Sequence, residues 1–301
     1  MALITVFTPL YNRIETLQRT YQSLCNQSCF DFEWLIIDDG STDNPYEIIK
    51  EWINADNGFI IRYIHKENGG MHTAHNVAYE HINTELNVCI DSDDYMPKNA
   101  IQLISDCWKK CRTKGYAGII ALDFANSTQT VIGKELPSDK ESTTLSGYYE
   151  NGGAGDKKLI YRTDIIRDTP PYPVFDNEKY VSLAYKYHII DEKYELKILN
   201  ECVCIVDYQL DGSSTNMYRQ YVNNPKGFAF WRKEQMRHGK GVIQKYKACV
   251  HYVSSSMISK NKRFIYESPC KVLTVLSIPL GVVLTLYIKR KAKNDFVKIK
   301  L

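Results

Sequence analysis

Short, wholly apolar runs alternate, early in this chain, with longer stretches whose apolar residues recur every three or four positions. Leu3-Ile4-Thr5-Val6-Phe7 is the first run and Thr8-Pro9 closes it; from Arg13 to Gln27, Leu17, Tyr21 and Leu24 then share a helical face. Trp34-Leu35-Ile36-Ile37 ends at Asp38-Asp39-Gly40-Ser41, and Asn44 to Asn54 carries Ile48, Ile49, Trp52 and Ile53 at helical spacing. A third strand fits Phe59 to Ile64, followed by Glu67-Asn68-Gly69-Gly70 and a helix to about Asn83. A fourth fits Leu86 to Ile90, followed by Asp91-Ser92-Asp93-Asp94 and a helix from about Lys98 to Lys114; Gly118 to Leu122 reads as a fifth strand.

Four strand–loop–helix units in a row, with strands apolar throughout, predict an α/β fold: a mainly parallel sheet flanked by helices. Ligands of such sheets bind outside the carboxyl ends of the strands. The loops TPLYNR, DDGSTD, ENGG and DSDD all fall at that edge, so four polar loops are expected to converge on one crevice. Beyond Leu122 the pattern weakens. Residues 123–156 are rich in Ser, Thr and Gly, with a turn at Asn151 to Asp156. Leu159-Ile160-Tyr161 and Lys197 to Tyr208 read as strands, and Lys179 to His188 as a helix.

Composition changes this picture at the C-terminus. The chain has 301 residues and a net charge of +3, but from Met217 onward 18 Lys/Arg face three acids, a net of +15, against −12 for residues 1–216. A basic third on an acidic body points to an anionic partner. Val272 to Ile288 is an uncharged apolar run bounded by Lys271 and by Lys289 to Lys293. As a helix it would span roughly 25 Å, just under the roughly 30 Å of a bilayer core, with Pro279 and Gly281 expected to kink it. The basic flanks favour a membrane surface over nucleic acid, since no aromatic-basic RNA motif or DNA-binding module accompanies them; a helix packed in a protein core is the other interpretation. Nine cysteines show neither a CxxC pair nor zinc spacing, and no basic n-region precedes an apolar stretch at the N-terminus. Reduced thiols in the cytosol are the expectation.

The loops carry the chemistry. Asp-x-Asp puts alternate carboxylates on one side of an extended segment, which suits a hard divalent ion completed by phosphate oxygens and water; a solvated acidic turn uses the same residues. Asp39 could accept from a nucleobase or ribose, and Tyr11 could stack on a base. Ser41 or Asp43 could instead simply cap the next helix. Asn68-Gly69-Gly70 lets backbone approach a ligand at the start of a helix, where a phosphate is welcome. His72 and His75 lie close by, surface histidines in the ordinary case, with a diphosphate contact open to His75. No G-x-G-x-x-G or Walker A sequence is present.

Taken in order over residues 3–95, TPLYNR, LIIDDGSTD, ENGG with AHN, and CIDSDD resemble the inverting family 2 glycosyltransferases of GT-A fold, the bacterial surface-polysaccharide type. The resemblance implies a GT-A (nucleotide-diphospho-sugar transferase) catalytic domain over 1–215, divided into a nucleotide-binding half (1–122) and an acceptor half (123–215). It further implies a helical, basic C-terminal extension over 216–301 with a membrane-associating segment at 272–288. By the same resemblance Thr8, Pro9 and Tyr11 would line the base pocket, with Asp39 accepting from the base. Asn68, Gly69, His75 and Asn76 would follow the ribose and diphosphate, with Asp91 and Ser92 beside the nucleotide and Asp93 holding Mn2+ or Mg2+. Family members usually carry Arg where His75 stands. The general base is expected at Glu178, with Asp176 second; related sequences often have an acid where Leu183 stands.

The activity so implied is transfer of a sugar, with inversion, from a nucleotide-sugar donor, expected to be UDP-linked, to a hydroxyl of a glycan or lipid-linked acceptor. It would take place at the inner face of the cell membrane, on the cytoplasmic side, with no nucleic acid as partner. Two other classes compete. A haloacid-dehalogenase-type phosphatase uses D-x-D after its first strand and followed by Thr or Val, whereas here it follows the fourth and reads DSDDY. A non-catalytic membrane-bound nucleotide-binding protein is the alternative.

Overall fold

The computed structural model describes residues 2–209 and 217–298. It begins with the alternation the sequence announces: β1 (Ile4–Leu10), α1 (Ile14–Cys25), β2 (Phe32–Asp38), α2 (Pro45–Asn54), β3 (Ile60–His65), α3 (Met71–His81), β4 (Leu86–Cys89) and α4 (Ala100–Cys111). Next come β5 (Gly118–Ala125), β6 (Thr130–Val131), β7 (Ser142–Thr143), α5 (Leu145–Glu150), β8 (Lys157–Arg162), α6 (Thr163–Asp168), α7 (Ala184–Asp191) and β9 (Leu196–Val206). Among the described residues the helices that follow are α8 (Met217–Asn223), α9 (Pro225–His238), α10 (Val242–Ile258), α11 (Phe264–Glu267) and α12 (Lys271–Lys298).

The sheet runs β3-β2-β1-β4-β8-β5-β9-β7, with β6 on β5. β1 pairs in parallel with both β2 and β4, and β2 with β3, because each return passes through a helix. From β4 onward the sheet is mixed, since β8 inserts antiparallel between β4 and β5 while β9 is parallel to β5. β1 and most of β2 are buried along their length, which is why they read as unbroken apolar runs. α1, α2 and α4 close one face, where Leu17, Leu24, Ile49, Trp52, Ile101, Ile104 and Trp108 join a single cluster with Val6 and Trp34, and α3 sets His75 on Phe7 at the other. Pro45 opens α2, where its missing N–H costs nothing.

The chain divides into two compact units. Residues 2–171 and 186–209 form the sheet unit; Tyr172–Tyr185 belongs with the helical unit that holds the described residues from Met217 on. Counting 172–185 with the acceptor half of the catalytic domain therefore differs from how the chain packs, and the domain boundary expected at 215/216 lies outside the described residues. The reason is local. Lys179 donates its backbone N–H to Asn224 Oδ1, and Glu178 accepts from the backbone of α9. The helix expected from Lys179 starts only at Ala184.

In the helical unit, Ala229 and Met236 of α9 pack with Ala248, Cys249 and Tyr252 of α10, and Phe264 and Leu273 close over them. α12 runs unbroken through Pro279 and Gly281. Small residues give it a close fit on α10: a Cβ at Gly281 would stand 2.4 Å from Val253 Cγ1. On the same face Thr285 Oγ1 donates to Ser254 Oγ at 3.0 Å, and Thr274 and Ser277 are buried. The opposite face is Val272, Val275, Leu276, Leu280, Val283, Leu286 and Tyr287, each 47 to 74% exposed. The polar-and-small side of this helix faces protein and the apolar side does not.

Candidate active site

The order β3-β2-β1-β4 reverses direction at β1, so the loops leaving β1 and β4 part in opposite senses and open a crevice at their carboxyl ends. Register sets its floor. Leu10 pairs with Asp38, and Phe7 with Cys89, so continuing the β1–β4 pairing brings Asp91 level with Pro9. The first two loops are tied together: Asn12 N–H donates to Ser41 Oγ at 3.0 Å, Thr42 N–H to Asn12 Oδ1 at 2.7 Å, and Ile14 N–H to Asp43 at 3.2 Å. Ser41 and Asp43 thus brace α1's loop rather than cap α2, whose N-cap has no side-chain bond. Tyr11, at 48% exposure, is left open on this loop.

Asp39 is buried and locks the second loop to the third. Its carboxylate accepts from the N–H of Gly69 (2.9 Å) and Gly70 (2.7 Å) and pairs with Lys66. Gly40 makes this approach feasible, with φ +76° and its missing Cβ position 2.7 Å from Asn68 N. Asp38 accepts from Ser41 N–H and Tyr63. Thr8 is fully buried and its hydroxyl accepts from the Trp34 indole at 3.0 Å, so that side chain serves the core.

His72 and His75 of α3 are buried, contrary to the ordinary expectation of surface positions. His75 contacts Tyr79 OH at 3.1 Å and packs edge-on against Phe7; burial holds its pKa down to about 3. With that ring enclosed at 0% exposure, it does not present the outward cation the resemblance would put at this position. His72 is 1% exposed, neither ring nitrogen has a hydrogen-bond partner among the described residues, and burial lowers its pKa to about 4 against the pull of nearby Asp39.

The fourth loop concentrates charge. Asp94 N–H donates to Asp91 O (3.0 Å), while Asp94 Oδ1 accepts from Asp207 N–H (3.1 Å) and its partner oxygen from Cys204 Sγ (3.8 Å). Burial pushes the Asp94 pKa up, with Lys158 pulling the other way and Asp91 adding to the rise. Lys158, 12% exposed, lies 3.8 Å from Asp123 Oδ1 and is the cation that offsets this acidic interior. Arg19 braces the loop from α1, donating to the Asp93 carbonyl at 2.5 Å and pairing with Asp207 at 2.8 Å. Burial, followed by the negative field of Asp91, raises the pKa of Asp93, against the lowering pull of a backbone N–H and of Arg13.

Those oxygens fit a hard divalent cation. Crowded carboxylates with raised pKa are relieved by positive charge, and Mg2+ or Mn2+ accepts one or two protein carboxylates with ligand oxygens and water. Among the described residues no three His, Cys, Asp or Glu side chains form a preformed metal cage. Asp93 would therefore share the ion with a bound ligand rather than hold it alone.

Sequence reasoning missed Arg19, Lys66, Asp123, Lys158 and Asp207. Asp207 alone left a signal: it is the penultimate residue of KILNECVCIVDY, a carboxylate at the carboxyl end of a strand, like Asp39 and Asp91. Arg19 sits within α1, Asp123 and Lys158 within β5 and β8, and Lys66 just past β3, and all four gain meaning only from pairing.

The two expected base residues lie in the helical unit and differ sharply. Glu178 is 8% exposed; its two carboxylate oxygens accept from Lys226 N–H and Gly227 N–H, each at 2.9 Å, at the start of α9. It compensates a helix N-terminus, though of α9 and not of the helix that follows it in sequence. Asp176 is exposed and precedes Asn177, a non-glycine residue with φ 61°.

The fold is the GT-A architecture, a mainly parallel sheet flanked by helices. Solved structures share it: Staphylococcus aureus TarS 1–349 in complex with UDP-GlcNAc superposes with a TM-score of 0.63 at 16% identity, covering 92% of this chain and 79% of that one. The mannosyltransferase PcManGT from Pyrobaculum calidifontis, in complex with GDP-Man and Mn2+, gives 0.56 at 14% identity, covering 95% and 87%. The chain belongs to glycosyl transferase family 2, which matches residues 5–169. Among curated relatives, chondroitin synthase of Pasteurella multocida is 36% identical over 101 residues, 34% of this chain but 10% of that protein. This chain thus spans only a small part of such a relative.

Proposed function

We propose that this protein is an inverting, metal-dependent glycosyltransferase that moves a sugar from a nucleotide donor, UDP-linked, to a hydroxyl of a glycan or lipid-linked acceptor in surface-polysaccharide synthesis. The observation that carries this is the convergence of the β1, β2 and β4 loops at the topological switch, with the Asp93 carboxylate crowded by Asp91 at its edge. Tyr11 and Pro9 line the base, with Thr8 behind them in the core. Asp39 fixes the loops that bear Asn68 and Gly69 along the ribose and diphosphate, and Asn76, Asp91 and Ser92 complete that path. UDP-GlcNAc in TarS and GDP-Man with Mn2+ in PcManGT support a nucleotide-sugar donor and a divalent ion here.

Asp93 is the residue that would hold Mn2+ or Mg2+, whose chemistry is to neutralise the departing diphosphate. The base must reach the acceptor hydroxyl with a free carboxylate. Glu178 has both oxygens engaged, so Asp176 is the better base; it takes the proton as the hydroxyl attacks the anomeric carbon in line. One displacement inverts configuration, giving a β-linked product from an α-linked donor.

The tail supports a location. α12 presents one apolar face along the 23 residues Lys271–Lys293, whose uncharged middle is flanked by basic residues at both ends. With its other face on α10, it lies along the inner membrane surface with its cations among anionic head groups, rather than crossing. Both basic flanks then stay cytoplasmic, where nucleotide sugars are.

Donor hydrolysis and transfer assays test the whole. Wild type should turn over a nucleotide sugar only with Mn2+ or Mg2+, and Asp93→Ala should lose at least a hundredfold in rate. Metal-independent nucleotide binding without turnover would favour the non-catalytic alternative.

A further inference from the structure

The helical unit contains a cavity that none of the donor chemistry uses. Its volume is about 290 Å3, near the lower bound of roughly 300 Å3 for small-molecule pockets, so it has room for about one sugar ring. One face of α9 lines it: Lys226, Ala229, Phe230 and Lys233 fall at i, i+3, i+4 and i+7. Tyr252 and the turn at Asn261 form the far side, and Phe175 closes it.

Charge and shape divide along this groove. Lys226 and Lys233 are two helical turns apart, about 10 Å along the axis, with the Phe230 ring between them in sequence. Lys233 is answered by Glu267 at 3.8 Å, and Glu267 also accepts from Asn261 at 3.0 Å. Lys226 has an exposed side chain with no ion pair among the described residues. Just outside the lining, Lys260, Lys262 and Arg263 are exposed in the turn after α10. The pocket therefore has an aromatic middle, one satisfied cation and one open cation in a basic surround. It suits a ring with an apolar C–H face that carries a negative charge.

Its address says which ring. Phe175 is a wall of the pocket, and the next residue is the exposed carboxylate Asp176. Successive Cα atoms are about 3.8 Å apart, so a ring against Phe175 lies in the immediate neighbourhood of a base.

We propose that this pocket is an acceptor subsite for an anionic sugar, a hexose bearing a carboxylate or phosphate, with its ring against Phe175 and Phe230 and its charge on Lys226. It rests on the glycosyltransferase reading only for the word acceptor. An anionic lipid head group is the competing occupant, and the aromatic walls beside Asp176 favour the sugar.

Ligand-observed NMR titration of the full chain separates these. The probes are glucuronate, glucose 6-phosphate and glucose, with UDP plus Mn2+ titrated in parallel. The two anionic hexoses should bind at least fivefold more tightly than glucose. Lys226→Met should weaken them three- to fivefold, Lys226→Arg should restore them, and Phe230→Leu should weaken all three hexoses while circular dichroism stays unchanged. Equal binding of glucose and glucuronate, or indifference to Lys226→Met, overturns the proposal even if UDP binds normally. Hexose binding without any UDP binding upholds an anionic-sugar site and sinks the glycosyltransferase reading instead. Flotation with phosphatidylglycerol vesicles supplies the last arm: if Lys226→Met cuts vesicle binding and leaves the hexoses untouched, the site is a lipid one and the proposal falls.

Discussion

Replacing Glu178 by Gln separates a helix-capping carboxylate from a catalytic one. Glu178 receives two backbone N–H groups at 2.9 Å, those of Lys226 and Gly227, and is 8% exposed. A hydrogen bond to a charged acceptor contributes about 1.5 to 3 kcal/mol, and a negative charge at a helix N-terminus adds about 0.3 to 1. Gln keeps one accepting oxygen and turns an NH2 group toward the other N–H. The expected loss is about 2 kcal/mol, and about 3 to 4 for Glu178→Ala, which strands both donors. The Lys179 N–H to Asn224 Oδ1 bond survives in either variant, so the segment stays attached to α9. Urea unfolding at pH 7, followed by circular dichroism, reads the stability, and transfer kinetics below the unfolding range read kcat. Glu178→Gln should show a lower midpoint with kcat within about threefold. Asp176→Asn, altering an exposed residue, should leave the midpoint in place and lower kcat by about 10² or more, the scale of a lost general base. The opposite pattern, a Glu178→Gln protein as stable as wild type but a hundredfold slower, would refute the assignment of Glu178 to capping.

Three other outcomes follow from particular contacts. His75 is held neutral with a pKa of about 3, below the ordinary 6.5, so between these values the unfolded chain binds a proton the folded chain refuses. Stability is lost as pH falls, and His75→Phe should gain on wild type by up to about 1.4 kcal/mol per pH unit below pH 6; parallel urea midpoints from pH 7 to 5 would contradict this. Leu276→Glu with Val283→Glu changes two residues that are 62 and 63% exposed, so folding should be intact while flotation with phosphatidylglycerol vesicles drops at least tenfold; undiminished flotation would remove α12 from the membrane. Gly281→Ala drives a methyl into Val253 and should cost about 1 to 3 kcal/mol as overpacking, measured by thermal unfolding; a neutral result would mean that α12 and α10 do not pack this closely.

Much of the site is legible in the chain because each strand of a parallel sheet ends in a loop on the same edge. The apolar runs identify β1 to β4, and the polar tetrads after them must converge whatever the strand order. Thus Asp39, Gly69, Asp91 and Asp93 could be picked from sequence. Their duties could not. Asp39 reads as a nucleotide acceptor, yet its carboxylate ties Gly69, Gly70 and Lys66 together. Thr8 reads as pocket lining and is bonded to Trp34. His75 reads as a diphosphate contact and is enclosed beside Tyr79 and Phe7. Hydrogen-bond partners come from different loops, and no local pattern encodes which loop meets which.

The sequence by itself determined the parallel half of the sheet, the family of the chain and the basic, apolar character of its end, because period-2 and period-3.6 patterns and charge counts are local properties. Only the tertiary structure decided that Glu178 reaches across 48 positions to the start of α9, that Lys158 offsets the carboxylates behind the DSDD loop, and which face of α12 is turned outward. Those outcomes depend on burial and on pairing between distant residues. A carboxylate's role is set by the donors that reach it, and a helix's exposed face by the neighbour that covers the other.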